Sequence, residues 1–148
     1  MTPFARQHWA ARLNNLALDS AVGFATNGEI DQLGIVPATR LAIQRALEQI
    51  KLPIQHLLVD YLKLPDSQIP YTALVKGDAR SLSIAAASIL AKTARDAHMC
   101  DLDRQFPGYG LALHKGYGTL MHRQAIIRLG RSMVHRISFN FEKNEADL

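Results

Sequence analysis

The side chains best suited to chemistry are two aspartates, each at the end of a short apolar run. Asp60 closes the run 56–60, HLLVD, and Asp78 follows the run 71–75, YTALV, in the turn Lys76-Gly77-Asp78. In open α/β sheets, ligands bind at the carboxyl ends of the strands. If the two runs are buried, parallel, neighbouring strands, both carboxylates emerge at one edge, and paired carboxylate oxygens suit Mg²⁺ or Mn²⁺. Spacing alone leaves open a second interpretation, in which each aspartate only caps a helix or begins a loop.

A long helix is predicted directly after Asp78, because residues 79–100 are rich in alanine and contain neither Gly nor Pro. With about 100° per residue, its apolar face comprises Leu82, Ala86, Ile89, Leu90, Thr93, Ala94, Ala97 and Cys100. The opposite side carries a polar stripe, made of Ser81, Ser88, Lys92 and Arg95. Hydroxyl and cationic groups placed one turn after an aspartate could hold a phosphate chain beside a metal-binding carboxylate. The alternative is that Asp78 or Ser81 is an ordinary helix N-cap and that the stripe is a solvated helix face.

Helical segments are also predicted before the first apolar run. Thr2 to Ala25 has Pro3 in its first turn, and its predicted packing face comprises Phe4, Trp9, Leu13, Leu16 and Ala17. Residues 29–35 suggest a short helical turn. A further helix is expected to begin at Val36-Pro37 or Thr39 and to end before Pro53. The acids of this half, Asp19, Glu29 and Asp31, each lie beside a cap or turn, so we expect them to be structural or solvated.

Glycines and aromatic residues are concentrated between residues 106 and 119, in FPGYG and HKGYGT. Accessible backbone donors, tyrosine rings and a lysine suit contact with sugars and phosphates. A connector whose tyrosines close over the core is the other interpretation. Thr119 is then expected to cap a helix that Gly130 stops, and residues 142–148 are expected to form a loose end.

Composition bounds the class of protein. A chain of 148 residues with 48% hydrophobic and 20% charged residues suits one soluble globular domain. The net charge of +4 favours an anionic partner without identifying one. A single cysteine, Cys100, excludes an internal disulfide and favours a reducing, cytoplasmic compartment. No apolar run approaches the roughly 20 residues that span a bilayer, and the N-terminus lacks the pattern of a signal peptide.

Five segments together resemble ribonuclease HII, the prokaryotic type 2 ribonuclease H. They are EIDQLGI at 29–35, LLVD at 57–60, VKGDARSLSIAAASILAKTARD at 75–96, FPGYGLALHKGYGT at 106–119 and HRISF at 135–139. The resemblance runs collinearly from about Phe4 to Phe139. It implies one α/β domain with a ribonuclease-H-like fold and a helical C-terminal part. It also implies endonucleolytic cutting of the RNA strand in RNA–DNA hybrids, including single ribonucleotides embedded in DNA, with Mg²⁺ or Mn²⁺.

The resemblance also assigns roles to individual residues. The strand-end aspartate of the family falls on Asp60 and the aspartate of its Lys-Gly-Asp segment falls on Asp78, so both are implied metal ligands. The tyrosine of its Lys-Gly-Tyr-Gly segment, which packs against the sugar at the RNA–DNA junction, falls on Tyr117. The residues implied to lie along the nucleic-acid path are Ser81, Ser88, Lys92 and Lys115. The resemblance assigns no role to Arg95, Asp96 or the histidines.

Two family segments are missing from this sequence. The family begins with a strand that carries an adjacent Asp-Glu pair, which supplies two more metal ligands, and a Gly-Arg-Gly segment that recognises the ribose 2′-hydroxyl. The sequence contains no Asp-Glu dipeptide, and Gly130-Arg131-Ser132 lies far from the required place. We therefore expect the chain to lack the first three strands of the fold. The edge left unpaired would favour self-association or pairing with a complementing N-terminal segment.

The missing ligands affect the expected activity. Two-metal displacement at phosphorus needs two ions held by shared and flanking carboxylates. Asp60 and Asp78 supply a formal charge of only about −2, too little to neutralise two divalent ions. We expect weak metal binding and little or no cleavage by this chain alone.

Three interpretations follow. The one we favour is a ribonuclease HII whose chain is N-terminally incomplete. The second is a non-catalytic nucleic-acid-binding remnant of that family, and the third is an interaction module in which the carboxylates are only caps. Metal-dependent cleavage separates the first from the others, and salt-dependent hybrid binding separates the second from the third.

Overall fold

The computed structural model of the chain describes residues 1–139. These residues contain seven helices and a parallel sheet of two strands, so the predicted mixed α/β class is confirmed. The chain divides into two compact units. The first unit comprises Met1–Phe24 and Arg40–Ala94, and the second comprises Ala25–Thr39 and the residues from Arg95 onward. That the chain forms one domain stays a prediction.

Helix α1, Pro3–Leu16, is shorter than the sequence predicts. It begins as expected, because the Thr2 hydroxyl accepts a hydrogen bond from the Ala5 N–H and proline fits a first turn. It ends well before Ala25, because the Asp19 carboxylate binds the backbone N–H groups of Ser20 and Lys51 and so stabilises a non-helical path.

The predicted packing face of α1 is wrong. Phe4 and Leu16 are 82% and 75% exposed, and the one residue of α1 that is buried is Ala10. Helical periodicity identifies which side chains share a face, but it does not identify what that face meets.

Helices α2, Asn27–Leu33, and α3, Ile35–Leu47, follow. The short helix was predicted, and α2 starts with a capping box in which Thr26 and Glu29 bind each other's backbone N–H groups. Helix α3 starts earlier than either predicted position. Gly23 lies against α3, where an added Cβ would stand 1.9 Å from the carbonyl oxygen of Ala42, so only glycine fits there.

Strands β1, Leu57–Asp60, and β2, Tyr71–Leu74, pair in parallel, as predicted. The register places Asp60 opposite Leu74. The prediction that β1 is buried is wrong, because burial alternates along it and Leu58 is 46% exposed. Within the described residues the sheet has two strands, so part of its surface meets solvent.

The predicted tight turn and long helix are present, with one refinement. The turn includes a single helical turn, α4, Gly77–Arg80, and the long helix α5 is Leu82–Gln105. Three details of the predicted apolar face are wrong, because Leu82 is 86% exposed, Ala97 is also exposed, and Ile84, outside that face, is buried. The side chain of Ile84 packs beside Gly77, at the junction of the sheet and the helices.

The second unit is built around a small core and two further helices. Helix α6 is Leu111–His114, and α7, Leu120–Leu129, has the predicted Thr119 cap and the predicted stop at Gly130. Its core consists of Tyr109, Leu111, Ala125 and Ile126, against which Met99, Leu102, Phe106 and Val134 pack. The two tyrosines of the glycine-rich stretch differ, since Tyr109 is buried in this core and Tyr117 is exposed.

The acids of the N-terminal half have the structural roles that the sequence predicts. Asp31 accepts hydrogen bonds from the backbone N–H groups of Ile137 and Ser138 and so joins the HRISF segment to α2. The predicted loose end at 142–148 lies outside the described residues. No helix within residues 1–139 is both long enough and apolar enough to cross a membrane.

Candidate active site and nucleic-acid interface

Asp60 and Asp78 are joined through the backbone of Gly77. The Oδ1 atom of Asp60 accepts a hydrogen bond of 2.8 Å from the Gly77 N–H, and Asp78 is the next residue along α4. Parallel pairing brings the ends of β1 and β2 to the same edge, so both aspartates stand where the sequence predicts. Both are exposed to solvent. An added Cβ on Gly77 would lie 3.2 Å from Oδ1 of Asp60. A glycine at this position therefore lets the backbone before Asp78 approach the Asp60 carboxylate.

This donor set fits one hard divalent ion. Mg²⁺ is commonly held by one or two carboxylates, with water and substrate phosphates at the other positions. Within residues 1–139, no group of three or more His, Cys, Asp or Glu side chains is arranged to hold a metal ion. Asp60 and Asp78 therefore suit a magnesium-class ion that gains ligands from a phosphate, and they do not suit zinc.

Asp78 also lines a cleft of about 220 Å³ within the first unit, together with two residues of the predicted polar stripe. Those residues are Ser88 and Lys92, and Arg6 of α1 lies in the same wall. A carboxylate, a hydroxyl and two cationic side chains around one cleft can receive a phosphate next to a metal ion. Sequence reasoning missed Arg6, because only the folded chain brings α1 beside α5.

Ser81 occupies a different kind of position. It lies between α4 and α5, where its Oγ accepts a hydrogen bond of 3.5 Å from the Ile84 N–H and its own N–H donates to the Gly77 carbonyl. This is the capping role that the sequence left open for it. A contact between Ser81 and nucleic acid stays a prediction.

Tyr117 belongs to a loop in the second unit, Lys115 to Gly118, which we call the Tyr117 loop. Tyr117 is 61% exposed, and the Arg95 guanidinium lies 4.6 Å from the centre of its ring. Arg95 also donates to the Tyr117 hydroxyl at 3.2 Å and to the Lys115 carbonyl at 2.8 Å. The resemblance assigned no role to Arg95. In the structure Arg95 stabilises this loop through its hydrogen bonds and through a cation–π contact with the Tyr117 ring.

Lys115 is directed toward α5. Its Nζ donates to the Asp96 carbonyl at 3.4 Å and lies 3.2 Å from the Cys100 Sγ. These contacts leave the residue half-buried, and its backbone is left-handed, with φ of 53°. The contacts hold the loop against the helix. That Lys115 contacts nucleic acid stays a prediction.

Three histidines adjoin the Tyr117 loop, and sequence reasoning assigned no role to any of them. His114 and His122 are buried, and their rings stack with centroids 4.1 Å apart. His135 contacts His122 through their Nε2 atoms, 3.2 Å apart. Burial lowers the pKa of His122 and of His135 below the usual value for histidine.

Comparisons with known proteins agree over nearly the whole chain. A family model described as Ribonuclease HII matches residues 5–142. The chain is 48% identical to a ribonuclease HII of Dehalococcoides mccartyi over 139 residues, which cover 94% of this chain and 66% of that protein. It is 52% identical to the ribonuclease HII of a Synechococcus species, with 94% and 62% covered.

A ribonuclease HII of Thermus thermophilus is 47% identical over 139 residues, with 94% of this chain and 68% of that protein covered. The chain thus spans about two thirds of the length of these curated relatives.

Proposed function

Because this chain belongs to the ribonuclease HII family, we propose that it acts in the cleavage of the RNA strand of RNA–DNA hybrids, including single ribonucleotides embedded in DNA. The observation that carries the proposal is the placement of Asp60 and Asp78. Both residues stand at one edge of the parallel sheet, and Asp60 Oδ1 accepts a hydrogen bond from the N–H of Gly77, the residue before Asp78. This is the arrangement of hard oxygen donors that phosphodiester hydrolysis with a divalent ion uses.

Each part of the site has a role in this proposal. Asp60 and Asp78 hold Mg²⁺ or Mn²⁺, which when bound supplies Lewis-acid stabilisation of charge on the phosphate. Lys92 and Ser88 bind phosphate oxygens in the cleft beside Asp78. The exposed ring of Tyr117 packs against a sugar or base of the hybrid.

A second candidate function is hybrid binding without cleavage. It is favoured by the donor set, because two carboxylates balance the charge of one divalent ion and two-metal hydrolysis needs more ligands. Within residues 1–139 no third side chain joins Asp60 and Asp78 in a metal-binding group. Weak or absent cleavage by this chain alone therefore stays our expectation.

Two further predictions concern the setting of the protein. Self-association, or pairing with a complementing segment at an edge of the two-stranded sheet, would supply partners for β1 or β2. A cytoplasmic location agrees with one cysteine and a nucleic-acid substrate. Both stay proposals.

The test is cleavage of a labelled DNA duplex that contains one ribonucleotide, with Mg²⁺ or Mn²⁺, by the chain and by its Asp78→Asn variant. We expect any cutting beside the ribonucleotide to fall by more than about 100-fold in the variant, since even the outer-shell partners of metal ligands are worth 10–100-fold. Asp66→Asn, an exposed aspartate in the loop between the strands, is the matched control.

The outcomes separate the candidates. Cutting that persists in Asp78→Asn would contradict the proposed site. Binding of the duplex without cutting would support the second candidate. A folded chain that neither binds nor cuts the duplex would contradict both and support a structural module.

A further inference from the structure

The three histidines of the second unit form one packed cluster. The rings of His114 and His122 stack at an angle of 17°, and the ring centre of His135 lies 5.3 Å from that of His122. The Tyr109 ring covers His135 at 4.8 Å. His114 and His122 are 6% and 7% exposed, so their nitrogens must find partners within the protein.

The hydrogen bonds of His114 assign its protonation state. The Gly116 N–H donates to His114 Nδ1 at 3.2 Å, so Nδ1 accepts and carries no proton. His114 Nε2 lies 2.8 Å from the Tyr109 carbonyl oxygen, which can only accept. The ring is therefore neutral, with its proton on Nε2.

Hydrogen-bond partners also assign the protonated nitrogen of His135 and then that of His122. The Ser132 N–H donates to His135 Nδ1 at 3.1 Å, so the proton of His135 is on Nε2 and is donated to His122 Nε2. His122 then carries its proton on Nδ1, which donates to the Tyr117 carbonyl at 2.9 Å. One directional chain of hydrogen bonds thus runs from Ser132 to the Tyr117 loop, and each of its two rings is neutral.

Taking up a proton would break this network. A proton added to His114 would set an N–H against the Gly116 N–H, and one added to His122 would set two Nε2–H groups against each other at 3.2 Å. Burial lowers the pKa of His122 and His135 and outweighs hydrogen bonds with the backbone of Tyr117 and of Ser132, which raise it, while the neighbouring charges of the other imidazoles and of Arg131 lower it further.

The other charged and titratable groups near the cluster, within the described part of the second unit, are the cations Arg95, Lys115 and Arg131, the Tyr109 phenol, the Cys100 thiol beside Lys115, and the Asp31 carboxylate, which binds the backbone just after His135. Arg95 and Lys115 lie on the side of the loop that meets α5, and the Tyr109 hydroxyl donates to the Gly130 carbonyl. Neutral imidazoles are the form that these surroundings favour.

We propose that His114, His122 and His135 are positioning residues whose neutral hydrogen-bond network holds the Tyr117 loop in its nucleic-acid-binding shape, and that protonation of the network releases the loop. The inference rests on the proposed function insofar as Tyr117 contacts the hybrid. His114 fixes the loop at Gly116, and His122 fixes it at the Tyr117 carbonyl. The loop is thereby held from two rings that are stacked on each other.

The protonation states are tested by NMR on protein labelled with ¹⁵N in its histidines, at about pH 8 and about pH 4.5, because the lowered pKa values of His122 and His135 place their titration below the usual range for histidine. At the higher pH we expect the Nε2–H tautomer for His114 and His135 and the Nδ1–H tautomer for His122. A different tautomer, or a charged cluster ring at about pH 8, would overturn the inference. His98→Gln removes an exposed histidine outside the cluster and serves as control.

The function of the network is tested through the contribution of Tyr117 to hybrid affinity, measured by fluorescence anisotropy as the ratio of Kd between Tyr117→Ala and its parent. Base stacking on an aromatic ring suggests a ratio of about tenfold or more at the higher pH. We expect the ratio to fall below about threefold at the lower pH, and to be small at both pH values in His122→Ala, because the Tyr117 carbonyl then loses the imidazole donor and keeps the Thr119 N–H alone.

A conservative variant separates positioning from packing. In His122→Asn the side-chain amide can still donate to the Tyr117 carbonyl but cannot take up a proton in this range. We expect it to restore most of the Tyr117 contribution and to reduce its dependence on pH. A contribution that is unchanged by pH and by His122→Ala would overturn the inference.

Amide hydrogen exchange keeps this test separate from that of the proposed function. Corrected for intrinsic rates, exchange of the Gly116 amide should be slow at the higher pH and faster at the lower pH, because its acceptor ring is stacked on His122, whose protonation breaks the network. A chain that binds no hybrid but shows this exchange would contradict the proposed function and support the network. Equal protection at both pH values would overturn the network.

Discussion

At the scale of single residues, the geometry of the candidate site depends on a glycine. Gly77 is buried, and its N–H fixes one oxygen of Asp60 while its Cα lies against Ile84. The backbone here is not left-handed, so the requirement for glycine comes from space and not from φ. A side chain added at residue 77 should therefore push Asp60 away from the backbone that carries Asp78.

Gly77→Ala should disturb the site without removing either carboxylate. The new Cβ would lie 2.7 Å from Ile84 Cδ1, which can rotate away, and 3.2 Å from Asp60 Oδ1, which must shift. We expect weaker Mn²⁺ binding in calorimetry and a loss of about 1 kcal/mol or more in the free energy of unfolding, within the range for overpacking. Gly28→Ala, where a Cβ meets nothing within 4 Å, is the control. Unchanged Mn²⁺ affinity in Gly77→Ala would argue against the placement of Asp60 at the metal.

Residues at the site differ in how well the sequence predicts them. Asp60 and Asp78 could be found, because a strand end is a local signal and parallel pairing follows from the chain between them. Arg6 and Arg95 could not be assigned, since their roles arise from contacts between distant parts of the chain. The histidine cluster was missed for the same reason: His114, His122 and His135 follow no helical or strand repeat.

At the scale of helices and strands, hydrogen bonds between side chains and backbone determine where elements end and what they join. Thr2, Thr26 and Thr119 cap three helices, and Asp19 accompanies the early end of α1. Asp31 also binds backbone N–H groups, but these belong to a segment that is distant in the sequence. It anchors the Ile137-Ser138 backbone to α2.

Asp31→Asn should loosen the HRISF segment. Hydrogen bonds from the Ser138 hydroxyl and then from the Ile137 and Ser138 N–H groups lower the pKa of Asp31 below its ordinary value of 3.8. A carboxyl with a lowered pKa stabilises the fold above its ordinary pKa, and that stability is lost as the pH falls through the lowered value. We therefore expect faster amide exchange of Ile137 and Ser138 in the variant at neutral pH, and a smaller difference from the native chain in strong acid.

Asp66→Asn provides the comparison, because Asp66 is an exposed loop residue in the first unit. It should leave the exchange of Ile137 and Ser138 unchanged. Equal exchange in Asp31→Asn and the native chain at neutral pH would show that other contacts hold the segment.

The elements that the sequence predicted best are those with a local start or stop signal. The Thr119 cap and the Gly130 stop of α7, and the strand ending at Asp60, all follow from a few neighbouring residues. The predictions that failed needed tertiary information. The length of α1 depends on a hydrogen bond from the Lys51 N–H to the Asp19 carboxylate, and the exposure of Leu82 accompanies the packing of Ile84 at Gly77.

At the scale of the whole molecule, charge is the property that bears most directly on the proposed partner. The chain has 17 lysines and arginines against 13 aspartates and glutamates. A positive protein that binds nucleic acid releases counterions from the phosphates, so its affinity falls as salt rises. Net charge alone does not identify the contacts, but the salt dependence of single variants does.

The affinity for an RNA–DNA hybrid should therefore fall with salt in a way that identifies Lys92. On a plot of log Kd against log salt concentration, each phosphate contact adds roughly 0.7–0.9 to the slope. We expect Lys92→Gln, which removes a cation from the cleft beside Asp78, to weaken binding and to lower the slope by about 1. Lys63→Gln, at an exposed lysine of the loop after β1, should leave the slope unchanged and corrects for the loss of one charge. Equal slopes for Lys92→Gln and Lys63→Gln would mean that the phosphate backbone does not pass through this cleft, and the path proposed along α5 would have to be abandoned even if the hybrid binds.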